Sequence, residues 1–203
     1  MKLLYRKIEN KKEYAMAQVK GVLILGLIKF VKKGLKESLP TIMPMLSVDT
    51  KKYMEEHISP AGWYPYPVLP ELLRVVDKVM GNGDLGFCIE QGRLSAQRDL
   101  STIFSSVLSS NDPQLLIRKA MTIWSSYYDV GKAEMKLFAE NEISMVIEDF
   151  PEIDMAHVKS TQGWIEQLLN MSNFENVTSA IEKCQCTGDT VTELHFRFKP
   201  RAK

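Results

Sequence analysis

The sequence predicts an α+β domain: an antiparallel sheet packed on one face by helices, with a helical N-terminal half. Three observations carry this. Up to about residue 130 the apolar residues recur at spacings of three and four, the period of an amphipathic helix. Beyond Gly131 the spacing becomes two, with Ala133, Met135 and Leu137 alternating against Lys132, Glu134 and Lys136. One further helical pattern, carrying Trp164, Leu168, Leu169 and Met171, then separates the strands. Helices first and strands afterwards is the order of an α+β fold.

Each element has its own local justification. Residues 1–18 read as an N-terminal arm or strand carrying Lys2, Arg6, Lys7, Lys11 and Lys12, and residues 19–203 as a single ligand-binding-like α+β domain. A strongly apolar run, residues 22–28 with Phe30 and Val31, acquires a wet face from Lys29, Lys32 and Lys33 and is ended by Gly34, which favours a helix. Pro40 and Pro44 are expected to break up the chain beyond this helix. Ser47 to Asp49 resembles a helix start, with a short helix over residues 51–57. Over residues 68–80, Leu69, Leu72, Leu73, Val76, Val79 and Met80 form one buried stripe, stopped by Gly81-Asn82-Gly83. Asp84 can cap the next helix, whose Gly86, Cys88, Gly92, Ser95 and Ala96 form a small-residue face suited to close backbone approach. Phe104, Val107 and Leu108 come next. Asp112 and Pro113 are a cap and first position for a wide-striped helix carrying Ile117, Met121, Trp124 and Tyr128. Residues 143–148 are a second strand after a turn at Asn141-Glu142, and residues 155–158 a short strand or loop. Ser160 or Thr161 is the predicted cap of the helix carrying Trp164. The end is a hairpin: residues 177–186, a turn over 187–190, then Leu194, Phe196 and Phe198 inward against His195, Arg197 and Lys199.

Composition narrows the function. The chain has 203 residues, 45% hydrophobic and 25% charged, with a net charge of +1, as an ordinary globular protein has. Nucleic acid is therefore not an expected partner. The apolar run near the N-terminus is too short to span a bilayer and comes after a charged stretch unlike a secretory signal, so a cytoplasmic protein without a membrane span is expected. Cys88, Cys184 and Cys186 are too few for a disulfide framework and are expected as reduced thiols. His57, His157 and His195 are isolated, each the pattern of a surface or hydrogen-bonded histidine. No serine-nucleophile elbow, metal-binding histidine pair or phosphate-cradling glycine loop occurs, and Asp149, Glu152 and Asp154 beside Pro151 read as a solvated loop. The expectation is a non-enzymatic protein without a cofactor.

The stretch 58–70 concentrates Trp63, Tyr64 and Tyr66 among four prolines and one glycine. Aromatics on a proline-stiffened segment can wall a pocket at little entropic cost. With Met121, Trp124 and Tyr128 they form the predicted site for a small hydrophobic or aromatic molecule, and Arg93 is its polar candidate. The same aromatics would serve equally as plain core. The alternative is a homodimeric scaffold or interaction module without a ligand, for which eleven methionines are also suited.

The order of short motifs resembles an uncharacterised paralogous family, expanded in myxobacteria and related to 4-vinyl-reductase-type ligand-binding domains. The residues carrying it are Val19-Lys20-Gly21, Gly62-Trp63-Tyr64-Pro65, Leu85, Gly92-Arg93, Asp99-Leu100 and Asp112-Pro113. Tyr127 to Gly131, Gly163-Trp164, and Cys184 with Gly188-Asp189 complete the set, across about residues 19–198. The resemblance implies an α+β fold shared with haem-nitric-oxide sensor domains and vesicle-tethering TRAPP subunits. It also implies an apolar cavity between sheet and helices, and a role as a small-molecule sensor or dimerising scaffold that signals through another protein. In aromatic-sensing relatives the cysteines near the closing Gly-Asp help hold a structural zinc. Here Thr192 stands where the later cysteine is expected, and Cys184-Gln185-Cys186 has too short a spacing, so no zinc is expected.

Overall fold

The computed structural model describes residues 16–101, 113–139 and 141–201. The basic N-terminal residues, Phe104, Val107, Leu108 and the capping Asp112 lie outside these.

A two-stranded antiparallel ribbon starts the described chain: β1 (Gln18–Lys20) pairs with β2 (Trp63–Pro65). Between them run α1 (Gly21–Lys29), a wider helical turn over Phe30–Gly34, α2 (Leu39–Met45) and α3 (Val48–Glu55). Pro40 and Pro44 do not prevent α2, contrary to expectation. Pro40 lies in the first turn, where its missing N–H costs nothing, and the helix ends one residue after Pro44. Ser47 caps α3 by accepting from Thr50 N–H, and the Glu71 carboxylate binds both hydroxyls.

α4 (Val68–Met80) buries Leu69, Leu72, Leu73 and Val76 of the predicted stripe, whereas Met80, in its last turn, is exposed. It also buries Asp77, whose carboxylate accepts from Leu85 N–H at 2.9 Å and Phe87 N–H at 2.8 Å. Asp77 thus shares with Asp84, which accepts from Gly86 N–H, the start of α5 (Gly86–Ser101). α6 (Pro113–Tyr127) is the next described helix.

β3 (Lys132–Ala139), β4 (Glu142–Glu148), β5 (Phe174–Lys183) and β6 (Thr192–Pro200) form an antiparallel sheet of order β3-β4-β6-β5. α7 (Met155–Met171) links β4 to β5 and packs on the sheet. It begins a full turn before the predicted cap. Asp154, not Ser160 or Thr161, is the cap: its carboxylate accepts from Ala156 N–H at 2.7 Å and pairs with Arg74 of α4. The acidic loop is therefore less solvated than expected, since Glu152 also accepts from Ala17 N–H. α5 and α7 lie backbone to backbone. An added Cβ at Gly92 would overlap the Ser160 carbonyl, and one at Gly163 the Ile89 carbonyl, so both positions require glycine.

Leu194, Phe196 and Phe198 are buried, as the period-two pattern demands. The turn before β6 differs from the sequence reading. A tight helical turn over Gln185–Thr187 ends in left-handed Gly188 and brings the Cα atoms of Cys184 and Cys186 to 5.2 Å, within disulfide reach. The two sulfurs are joined, in place of the reduced thiols expected. Two apolar clusters make the core, one on the sheet and one among α1 to α4, and the Tyr128 ring packs against both.

Candidate functional site

Where the two clusters meet, the structure holds a cavity of about 240 Å³. α1 contributes Leu27, the helical turn after it contributes Phe30, α4 contributes Leu69 and Leu73, and β4 contributes Met145. Met121 and Trp124, one helical turn apart on α6, line one wall with Ala120, Ile123 and Tyr127, and Tyr128 stands just past the helix end. α7 adds His157 and Trp164. α5 presents Gln91, Ser95 and Arg98, with exposed Leu94 beside them.

Of the seven predicted site residues the structure brings Met121, Trp124 and Tyr128 together on the cavity and places the other four elsewhere. Trp63 is 41% exposed, with Lys20 Nζ 3.9 Å from its ring centroid. Tyr64 closes the corner over Gly21 and Gly62, and its hydroxyl accepts from Ser59 N–H. Arg93 clamps α5 to α7: its Nε donates to Glu166 at 2.9 Å and its Nη1 pairs with Glu90. Glu166 also accepts from Ser179 of β5, so this cation is consumed in holding two helices and a strand. Tyr66 is buried one layer behind the cavity wall, against Phe150 at 4.8 Å between ring centroids.

The residue that composition and spacing could not single out is His157. Its ring lies 13° from parallel to Trp124, with centroids 5.9 Å apart, and both nitrogens are engaged. Nδ1 is 3.0 Å from the Tyr66 hydroxyl and Nε2 is 2.8 Å from the Tyr128 hydroxyl. Burial lowers the imidazole pKa to about 4, so the ring is neutral at pH 7. Burial also raises the phenol pKa of both tyrosines, so both keep their protons. Only one signal in the sequence points here: Asp154, three residues before His157, is a capping residue type at the head of an apolar run.

No protein-family model and no curated protein matches the chain. Solved structures do. An Fe(II) unliganded H-NOX protein from K. algicida superposes with a TM-score of 0.63 at 11% identity, covering 91% of this chain and 98% of that one. An H-NOX protein from S. oneidensis in its Fe(II)NO ligation state gives 0.57 at 11% identity, covering 89% and 99%. A third, from work on haem distortion in the H-NOX family, gives 0.60 at 16% identity, covering 90% and 95%. The chain has the H-NOX fold. Identities this low speak for the fold alone.

A haem would need an axial ligand and room for a tetrapyrrole. His157 is the one histidine on the cavity among the described residues, and the phenols of Tyr66 and Tyr128 hold both of its nitrogens. Freeing either nitrogen would strip a buried hydrogen bond. An engineered cavity of about 150 Å³ takes one benzene, so 240 Å³ suits one or two rings, not four. The described side chains do not fit haem. Among the described residues, no group of three or more His, Cys, Asp or Glu side chains could hold a metal ion. No helix among them is long and apolar enough to cross a membrane.

Proposed function

We propose that this chain is a non-enzymatic sensory or regulatory domain that holds a small apolar or aromatic molecule between its helices and sheet. The observation that carries this reading is the cavity itself. Well-packed interiors leave few voids larger than a water molecule. Here about 240 Å³ is walled by aliphatic and aromatic side chains with a few polar groups, the make-up of a ligand site. Met121, Trp124 and Tyr128 are its contact residues. The fold supports the reading, since the solved proteins it resembles include one with NO bound at Fe(II). Residues 19–203 act as the ligand-binding unit of a cytoplasmic protein related to the myxobacterial paralogous family and the 4-vinyl-reductase-type domains. Output passes to a signalling partner, with occupancy of the cavity stabilising the liganded packing of α1, α6 and α7.

The test is a titration with a naphthalene-based hydrophobic dye, against wild type and a Met121→Trp variant that fills the cavity. Saturable one-to-one binding that the variant abolishes is expected. Equal binding to both proteins would move the site elsewhere, and no binding to wild type would leave a structural module. A native mass spectrum of protein purified without added ligand reports retained ligand and stoichiometry in the same preparation.

A further inference from the structure

The hydroxyl of Tyr66 accepts from Asp154 N–H at 3.0 Å and also touches His157 Nδ1. A neutral imidazole has one N–H and one bare nitrogen, so two proton arrangements exist. In one, Nδ1 carries the proton and donates to Tyr66, and Tyr128 donates to Nε2. Tyr66 would then accept twice and its own O–H would have no partner. Tyr66 is 1% exposed and does not line the cavity, so nothing could satisfy that proton. In the other, Tyr66 donates to Nδ1, Nε2–H donates to the Tyr128 oxygen, and the Tyr128 O–H is left over. Tyr128 is only partly buried and does line the cavity. A buried unsatisfied donor is the costlier error, so the second arrangement holds.

A second donor points the same way. Gln91 lines the cavity, is 6% exposed, and its buried amide nitrogen has no hydrogen-bond partner. Among the described residues no Asp or Glu lines the cavity, and the guanidinium of Arg98 is already bonded to Asp99 and Ser95. The cavity therefore offers neutral donors within an apolar wall, with no carboxylate among those residues to receive a cation.

Resting on the sensor reading above, we infer that the cavity selects a neutral aromatic carbonyl compound of one or two rings. Its carbonyl oxygen accepts from the Tyr128 hydroxyl that His157 and Tyr66 orient, with the Gln91 amide as the second donor. The ring lies on Trp124, beside Tyr128.

The probes are acetophenone and isopropylbenzene, which share a shape but differ in the carbonyl. Calorimetric titration of wild type and Tyr128→Phe gives four affinities. The variant should lose about five- to ten-fold for acetophenone, the worth of one neutral hydrogen bond. Its affinity for isopropylbenzene should stay within about two-fold of wild type. The carbonyl stretch of acetophenone bound to wild type should lie below its frequency in cyclohexane. Gln91→Leu serves as the second variant, with a smaller loss confined to acetophenone. Equal losses for both probes, no loss for either, or an unshifted stretch would overturn the inference and leave the cavity reading intact. Failure of both probes to bind wild type would overturn the inference and the sensor reading together.

Discussion

The two faces of α7 are packed to different standards. Toward the sheet, Leu168 and Leu169 meet Ile143 and Phe198 with a residual gap of about 10 Å³. Toward the helices, His157 and Trp164 border about 240 Å³ of open space. Both faces carry apolar residues from the same helix, so hydrophobicity does not explain the difference. Rigidity does. The glycine contacts at Gly92 and Gly163 fix the spacing of α5 and α7 at backbone distance. On the far side the rings of Trp124, Tyr128, Phe150 and Tyr66 pack around His157, tied by its two hydrogen bonds. Neither wall can relax inward without breaking one of these, and the space stays open.

The largest expected effect lies on the filled face. Phe196 is fully buried in the sheet core, and Phe196→Ala should cost about 3–5 kcal/mol in urea unfolding. Its acetophenone affinity should not change in the folded protein. A loss under about 1 kcal/mol would show that the sheet side is as loosely packed as the other.

Acidification tests the cavity wall. His157 titrates near pH 4 in the folded chain and near 6.5 when exposed. Between these values the unfolded chain binds the extra proton, so the His157 contribution to stability falls as pH drops from about 6.5 toward 4 and is constant above. The predicted loss is about 3 kcal/mol, and it should vanish in His157→Gln. A wild-type stability as insensitive to pH in this window as the variant's would mean that water in the cavity hydrates the imidazole.

Trp124→Ala should fall between the faces. Trp124 already borders open space, so its removal enlarges a void instead of opening one, and it loses the Nε1 bond to the Gly131 carbonyl. About 2 kcal/mol is expected, with a large change in probe affinity. A cost matching Phe196→Ala, with no change in affinity, would erase the contrast between the two faces.

How far the sequence discloses this contrast depends on the kind of signal. The sheet is legible because Leu194, Phe196 and Phe198 alternate with polar residues, and one buried face fixes such a pattern. Met121, Trp124 and Tyr128 are legible as a stripe at helical spacing. That a stripe faces a void and not a neighbour depends on distances between helices, which no local pattern encodes. Arg93 is indistinguishable from a cavity group for the same reason: its partners, Glu166 and Glu90, lie 73 and three residues away. His157 sits in no motif, and its role arises from Tyr66, distant by 91 residues.

The smallest effect should come from the most conspicuous residue of the aromatic corner. Side chains along a strand alternate between faces, and around β2 Trp63 accordingly turns outward while Tyr64 and Tyr66 turn toward the protein. Trp63 is the exposed member of the three and Tyr66 the fully buried one. The Trp63 ring carries the Lys20 ammonium, an exposed cation–π pair worth about 0.5–1 kcal/mol. Trp63→Ala should therefore cost no more than about 1 kcal/mol. It should also leave acetophenone affinity unchanged, because the path from the corner to the cavity runs through Tyr66 and His157, not through Trp63. Urea unfolding and calorimetric titration of this one variant decide the matter. A loss of several kcal/mol, or a shifted affinity, would show that the outer face of the corner is coupled to the cavity wall and that its exposure does not insulate the two.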